Sequence, residues 1–142
     1  MKTHQVSTLS LGAAAAAVDA AQAKASELGM AIATTVVDHS GVVKLFSRMD
    51  GAVLVASDAS YKKARTAVGF GMPTGKPWHD FIKDDPILSG GAPALEDFIL
   101  LGGGSPIYVD GALVGAIGVA GGHYSKDEAC AQAALDALEQ MT

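Results

Sequence analysis

Residues 30–49 read MAIATTVVDHSGVVKLFSRM, two extended runs on either side of a turn cluster. The first half is rich in Thr and Val, which favour extended backbone, and it runs into the turn cluster His39-Ser40-Gly41. The second half alternates, with Val42, Lys44, Phe46 and Arg48 on one face and Val43, Leu45, Ser47 and Met49 on the other. A turn this short cannot make a parallel crossover. The spacing therefore predicts strands over residues 30–38 and 42–49, paired as an antiparallel hairpin.

Upstream, Leu11, Ala14, Val18, Ala21, Ala25 and Leu28 recur at three- and four-residue steps, and Gly29 follows as a stop. That is the stripe of a helix, expected to pack on the sheet through Leu11, Val18 and Leu28. Lys2, the stretch 9–18 and the triplet Ala21-Gln22-Ala23 also have the outline of a secretory signal. An apolar region made mostly of alanine serves export poorly, so the folded helix and a cytoplasmic location are the expectation. No stretch is long and apolar enough for a membrane-spanning helix.

Downstream, residues 57–70 have helical spacing, with Tyr61, Ala64 and Val68 on one side and Ala59, Lys63, Thr66 and Phe70 on another. Residues 71–93 show no period and hold four of the five prolines, which suits a lid, a binding loop or an arm reaching a second subunit. A glycine break at 102–106 leads to a second hairpin, residues 107–109 and 113–119, turning at Asp110-Gly111. A last helix spans residues 126–141, with Ser125 and Glu128 at capping-box spacing and Cys130, Ala134, Ala137 and Met141 as its apolar stripe. Two hairpins separated by helices predict a single α+β (α/β) domain over residues 1–142, an antiparallel sheet flanked by helices.

The chain has 142 residues, 49% of them hydrophobic, enough to fold around one core. With 10 basic against 15 acidic residues the formal charge is −5, and no basic stripe exists for nucleic acid or an anionic membrane. The single cysteine excludes an internal disulfide.

Several residues could carry chemistry. Gly102-Gly103-Gly104 can turn consecutive N–H groups into one anion-holding concavity, although tight packing explains the same triplet. Gly115, Gly118, Gly121 and Gly122 interrupt a strand, which permits either close helix packing or contact with a flat ligand. Arg48, Asp50 and Lys63 are the charges of interest: an inward Lys or Arg needs a ligand anion or a carboxylate partner, and Arg48–Asp50 and Lys63–Asp127 pairs are the structural alternatives. Asp127 and Glu128 are candidates for acid and base work. Among the histidines, His4 precedes the first helix and His39 sits in a turn, while His79 and His123 are candidate haem-iron ligands; no pair has metal-site spacing. Cys130 lies on a buried stripe and reads as an inert thiol.

The succession Val36-Val37-Asp38-His39-Ser40-Gly41, Arg48-Met49-Asp50-Gly51-Ala52 and Lys63-Ala64-Arg65-Thr66-Ala67 resembles the GlcG/HbpS family of haem-binding or haem-degrading domains. So do Gly102-Gly103-Gly104-Ser105-Pro106-Ile107, residues 115–122 (GAIGVAGG) and Asp127-Glu128. The chain departs from the usual pattern at Ser40 and Ala120, where glycine and serine commonly stand. The resemblance implies a profilin-like fold, assembly into homo-oligomers, and relatives that include haem-binding sensors, the C-terminal domain of some corrinoid adenosyltransferases and proteins of catabolic operons. Haem is the implied cofactor.

Two functions follow. One is binding of haem or a related small anionic ligand, with redox or haem-linked activity. The other is an enzyme acting on a small organic acid, with Arg48 and Lys63 holding a carboxylate and the 102–104 nest stabilising negative charge. An oligomeric accessory protein without chemistry is the plainest reading. The expected pocket gathers Arg48, Lys63, Gly103 and Gly104, with His123 or Asp127 at its edge and Gly121 and Gly122 alongside.

Overall fold

The hairpin forms as its sequence predicts. In the computed structural model, which describes residues 1–142, β1 (Ala33–Asp38) pairs antiparallel with β2 (Val43–Arg48). Asp38 makes the turn: its Oδ1 accepts from the Ser40 and Val42 N–H groups at 2.9 and 3.1 Å. β1 begins at Ala33 rather than residue 30, yet the ladder reaches one residue further, since Met49 N–H donates to the Ile32 carbonyl at 2.9 Å. The second hairpin joins β3 (Gly104–Val109) to β4 (Ala112–Ala120) through Asp110 and Gly111, both at positive φ (51° and 81°), as a two-residue turn requires. The sheet has four strands in the order β2-β1-β4-β3, all antiparallel.

Helices cover both faces. α1 (Leu11–Glu27) and α5 (Tyr124–Glu139) pack against each other and over one face, where Ala14, Val18, Ala21 and Ala25 meet Ile32, Val36, Ile117 and Cys130. α2 (Val55–Phe70) lies on the other face over β1, β4 and β3. There the contacts are small on both sides: Ala56, Ala64 and Ala67 against Ala33, Ala116 and Ala120. Gly118 sets the separation, because a Cβ on it would sit on the Ser60 carbonyl oxygen of α2. No helix is long and apolar enough to cross a membrane.

Four expectations need correction. Leu11 is exposed; Ser10 caps the helix at that point by accepting from Ala13 N–H, and Ala17 takes the buried place instead. β3 starts at Gly104, inside the predicted glycine break, because an edge strand tolerates Pro106. The aperiodic segment holds two short helices, α3 (Lys76–Ile82) and α4 (Pro86–Gly91), each with proline in its first turn. α5 starts two residues early, with His123 as its N-cap, so Ser125 and Glu128 form no capping box and Met141 lies beyond the helix.

Candidate functional site

Lys63 and Asp127 are the two buried charges of the molecule. Lys63 leaves α2 toward the sheet, 2% exposed, because small β4 residues let the helix sit low enough for its ammonium to reach strand backbone. Its Nζ donates to the Val119 carbonyl at 2.8 Å and to Asp127 Oδ2 at 2.9 Å. Asp127, in the first turn of α5 and 1% exposed, also accepts from Gly122 N–H at 3.1 Å through Oδ1. Burial pushes the Lys63 pKa down and the Asp127 pKa up, each more strongly than their mutual attraction opposes it. Of the two sequence readings of Lys63, the structure shows the pair with Asp127, a cross-link between α2 and α5 through the end of β4.

The glycine triplet surrounds this pair as packing. A Cβ on Gly103 would meet the Val119 carbonyl and lie 3.1 Å from Lys63 Nζ, and one on Gly104 would meet the Lys63 carbonyl. The Gly104 N–H is taken by Thr74 Oγ1 at 2.8 Å.

The expected pocket is only partly assembled. Lys63, Gly103, Gly104, Asp127 and Gly122 come together. Arg48 does not join them: it is exposed on the edge strand β2, two strands or roughly 10 Å from β4, and makes no ion pair. Asp50 lies exposed in the turn that follows, unpaired with Arg48. Gly121 supports β4 against the Ala31 carbonyl. His123 is committed to its capping role, its Nδ1 accepting from Ser125 N–H at 3.2 Å and its ring 4.2 Å from that of Tyr124.

The open cleft lies next to the buried pair. It has a volume of about 600 Å³ and runs between α3, the segment before β3 and the start of α5. Lys76, His79 and Asp80 of α3 form one wall, Tyr124 and Glu128 of α5 another, and Leu100, Leu101 and Gly102 the floor. The aromatic core fixes α3. Trp78, 3% exposed, packs edge-on against Phe70 at 4.7 Å and Phe98 at 5.4 Å, which turns the adjacent His79 outward. Lys76 Nζ donates to Asp80 Oδ2 at 2.6 Å, and this hydrogen bond holds the Asp80 carboxyl below its usual range. The Gly102 backbone lies against the Glu128 carboxylate, where any side chain would displace it. The donor types here are an imidazole, a phenol and carboxylates; the first two are axial-ligand types for haem iron.

The family model described as Haem degrading protein HbpS-like matches residues 9–136. The chain belongs to that family. Among HbpS-like relatives, an uncharacterized 15.0 kDa protein encoded between dhaT and dhaS in Citrobacter freundii is 33% identical over 141 residues, covering 99% of each chain. The crystal structure of Klebsiella pneumoniae protein ORFY superposes with a TM-score of 0.90 at 31% identity, covering 100% of this chain and 98% of that one. A crystal structure described as a PduOC:heme complex superposes with a TM-score of 0.85 at 31% identity, over 92% of this chain and 94% of that one.

Sequence reasoning named His79 and Glu128 separately but missed that they face one cleft, and it missed Lys76, Asp80, Leu100, Leu101 and Tyr124 altogether. The pointer was the aperiodic segment, whose length suited a lid, a binding loop or an arm although its helices were too short to show a period.

Proposed function

We propose that this HbpS-like protein binds haem in the cleft between α3 and α5, with His79 as the iron ligand. The observation that carries the reading is the outward imidazole of His79 in a cleft of about 600 Å³, within the usual size of small-molecule sites. A related chain of the same fold, solved as a haem complex, supports the choice of ligand. In this reading the Leu100 and Leu101 side chains offer apolar surface to the porphyrin, and the Lys76 ammonium pairs with a propionate in place of Asp80. Bound haem would supply a redox-active iron. Glu128 and Tyr124 place a proton acceptor and a proton donor at the cleft wall.

The reading includes a homo-oligomer in the cytoplasm. Val53, Leu54 and Val55 are consecutive and all more than half exposed, an apolar surface that suits a second copy. α1 belongs to the folded domain, since its alanines build the core.

The test is haemin titration of the wild type, His79→Ala and His123→Ala, followed at the Soret band. A saturable shift in the wild type and His123→Ala, lost or altered in His79→Ala, is the expected result. A His79→Ala spectrum identical to the wild type would overturn the assignment of the iron ligand.

A further inference from the structure

A second cleft, about 550 Å³ in volume, shares no residue with the first. The turn residues His39 and Gly41, Arg65 and Thr66 of α2, and Glu96 and Asp97 of the segment before β3 form its walls. The motifs that supply it, His39-Ser40-Gly41 and Arg65-Thr66, have no part in the haem cleft.

On one wall Arg65 is half-buried and has no carboxylate within ion-pair distance. Its seat is built. Nη1 donates to the Gly41 carbonyl at 3.4 Å and the Tyr61 hydroxyl at 3.3 Å, and the guanidinium lies 5.8 Å from the Tyr61 ring centre. A side chain at Gly41 would press on Arg65 Cδ and Nε at 3.4 Å. Nε–H and Nη2–H stay unclaimed, and together they are the edge that takes a carboxylate with two parallel bonds. Beside it, His39 Nδ1 lies 2.8 Å from the Leu113 carbonyl, which can only accept, so Nδ1 carries the proton and Nε2 is left without a protein partner.

The opposite wall has the reverse charge. Glu96 and Asp97 have no cationic partner within ion-pair distance. Asp97 adopts a left-handed backbone (φ 61°), uncommon for a residue with a side chain. Thr66, 2% exposed, holds it there: its Oγ1 donates to the Asp97 carbonyl at 3.2 Å and accepts from Ile99 N–H at 3.0 Å. Arg65, Glu96 and Asp97 thus line one cleft, and no guanidinium nitrogen comes within ion-pair distance of either carboxylate.

We infer that this cleft binds a small dipolar ligand, its carboxylate on Arg65 and its ammonium on Asp97 and Glu96, as an amino acid with separated charges would. A simple anion meets two carboxylates there and a simple cation meets Arg65, so only a ligand with both charges satisfies both walls.

The test is calorimetric titration with amino acids of increasing chain length, from glycine to 6-aminohexanoate, with hexanoate and hexylamine as single-charge controls. One chain length should bind best, at least about tenfold tighter than either control, since each control forfeits one charge-assisted contact. Arg65→Gln and Asp97→Gly should each reduce that binding to the control level. Glycine accepts the positive φ at 97, so the second variant removes the carboxylate and spares the backbone, and circular dichroism verifies both folds. No saturable binding by any member, hexanoate binding as tightly as the best amino acid, or unchanged binding in the two variants would each overturn the inference. None of these outcomes depends on haem, because the variants leave His79 and its cleft intact.

Discussion

Replacing Lys63 by Met, which keeps the length and removes the ammonium, leaves the Asp127 carboxylate buried with Gly122 N–H as its remaining partner. Both side chains are nearly sealed, 3% and 2% exposed, so water cannot take over the lost contact. Breaking one side of such a pair costs about 3–5 kcal/mol, a large share of the roughly 5–15 kcal/mol of a typical domain. For a chain of this length that lowers the melting temperature by about 6–20 °C. Asp127→Asn should lose a similar amount, because Lys63 then holds the unpaired charge. The double variant should recover at least half of the loss, since removing both charges also removes the burial cost.

The same variants carry a pH signature. The Asp127 pKa lies above the ordinary aspartate range because burial outweighs the attraction of Lys63. Lys63→Met removes the attraction and keeps the burial, so the carboxyl rises further. A carboxyl raised in the folded state adds stability in acid and loses it as pH rises through its folded pKa. The deficit of Lys63→Met should therefore be smallest in acid and widen toward neutral pH. Urea unfolding at matched protein concentration, at acid and neutral pH, measures both effects. A deficit below about 1 kcal/mol at neutral pH, or one that shrinks as pH rises, would refute the buried pair.

Gly118→Ala should destabilise by about 3 kcal/mol, because the methyl meets α2 backbone, while Gly90→Ala, with open space around it, should be neutral or slightly stabilising; thermal melts of the two compare them directly. Burial pushes the Cys130 thiol up to about 11, so a thiol reagent at neutral pH should react with it slowly in the native protein and fully in guanidinium. Rapid reaction of the native protein would mean that the α1–α5 contact opens readily. Asp85→Ala removes the cap that accepts from Ile87 and Leu88 N–H and should cost about 1 kcal/mol, read as faster amide exchange in α4 with the sheet unaffected.

Sheet and long helices were legible because their signals are local. The period-two pattern around His39-Ser40-Gly41 and the Asp110-Gly111 turn each specify a hairpin without reference to the rest of the chain, and the alanine stripes specify helices. The ends were less so: Gly104 and Pro106 join a strand only because β3 is an edge, and α5 starts at a histidine cap rather than at Ser125. The site was legible in parts. Lys63 and Asp127 were recognised as a possible pair, but nothing in the spacing separated pairing from ligand binding. Arg48 was grouped with Lys63 as a second inward charge, whereas Arg48 stands on the edge strand β2, two strands from the β4 carbonyl that holds Lys63. The cleft around His79 depends on where Trp78 docks among Phe70 and Phe98, a tertiary contact that no period announces.

Anomalous scattering from iron in crystals of the haemin-loaded protein locates the metal without reliance on variants. The iron peak should lie within bonding distance of a His79 ring nitrogen, in the cleft floored by Leu100, Leu101 and Gly102. A peak beside His123 or His39, or on the exposed surface at residues 53–55, would overturn the assignment of His79.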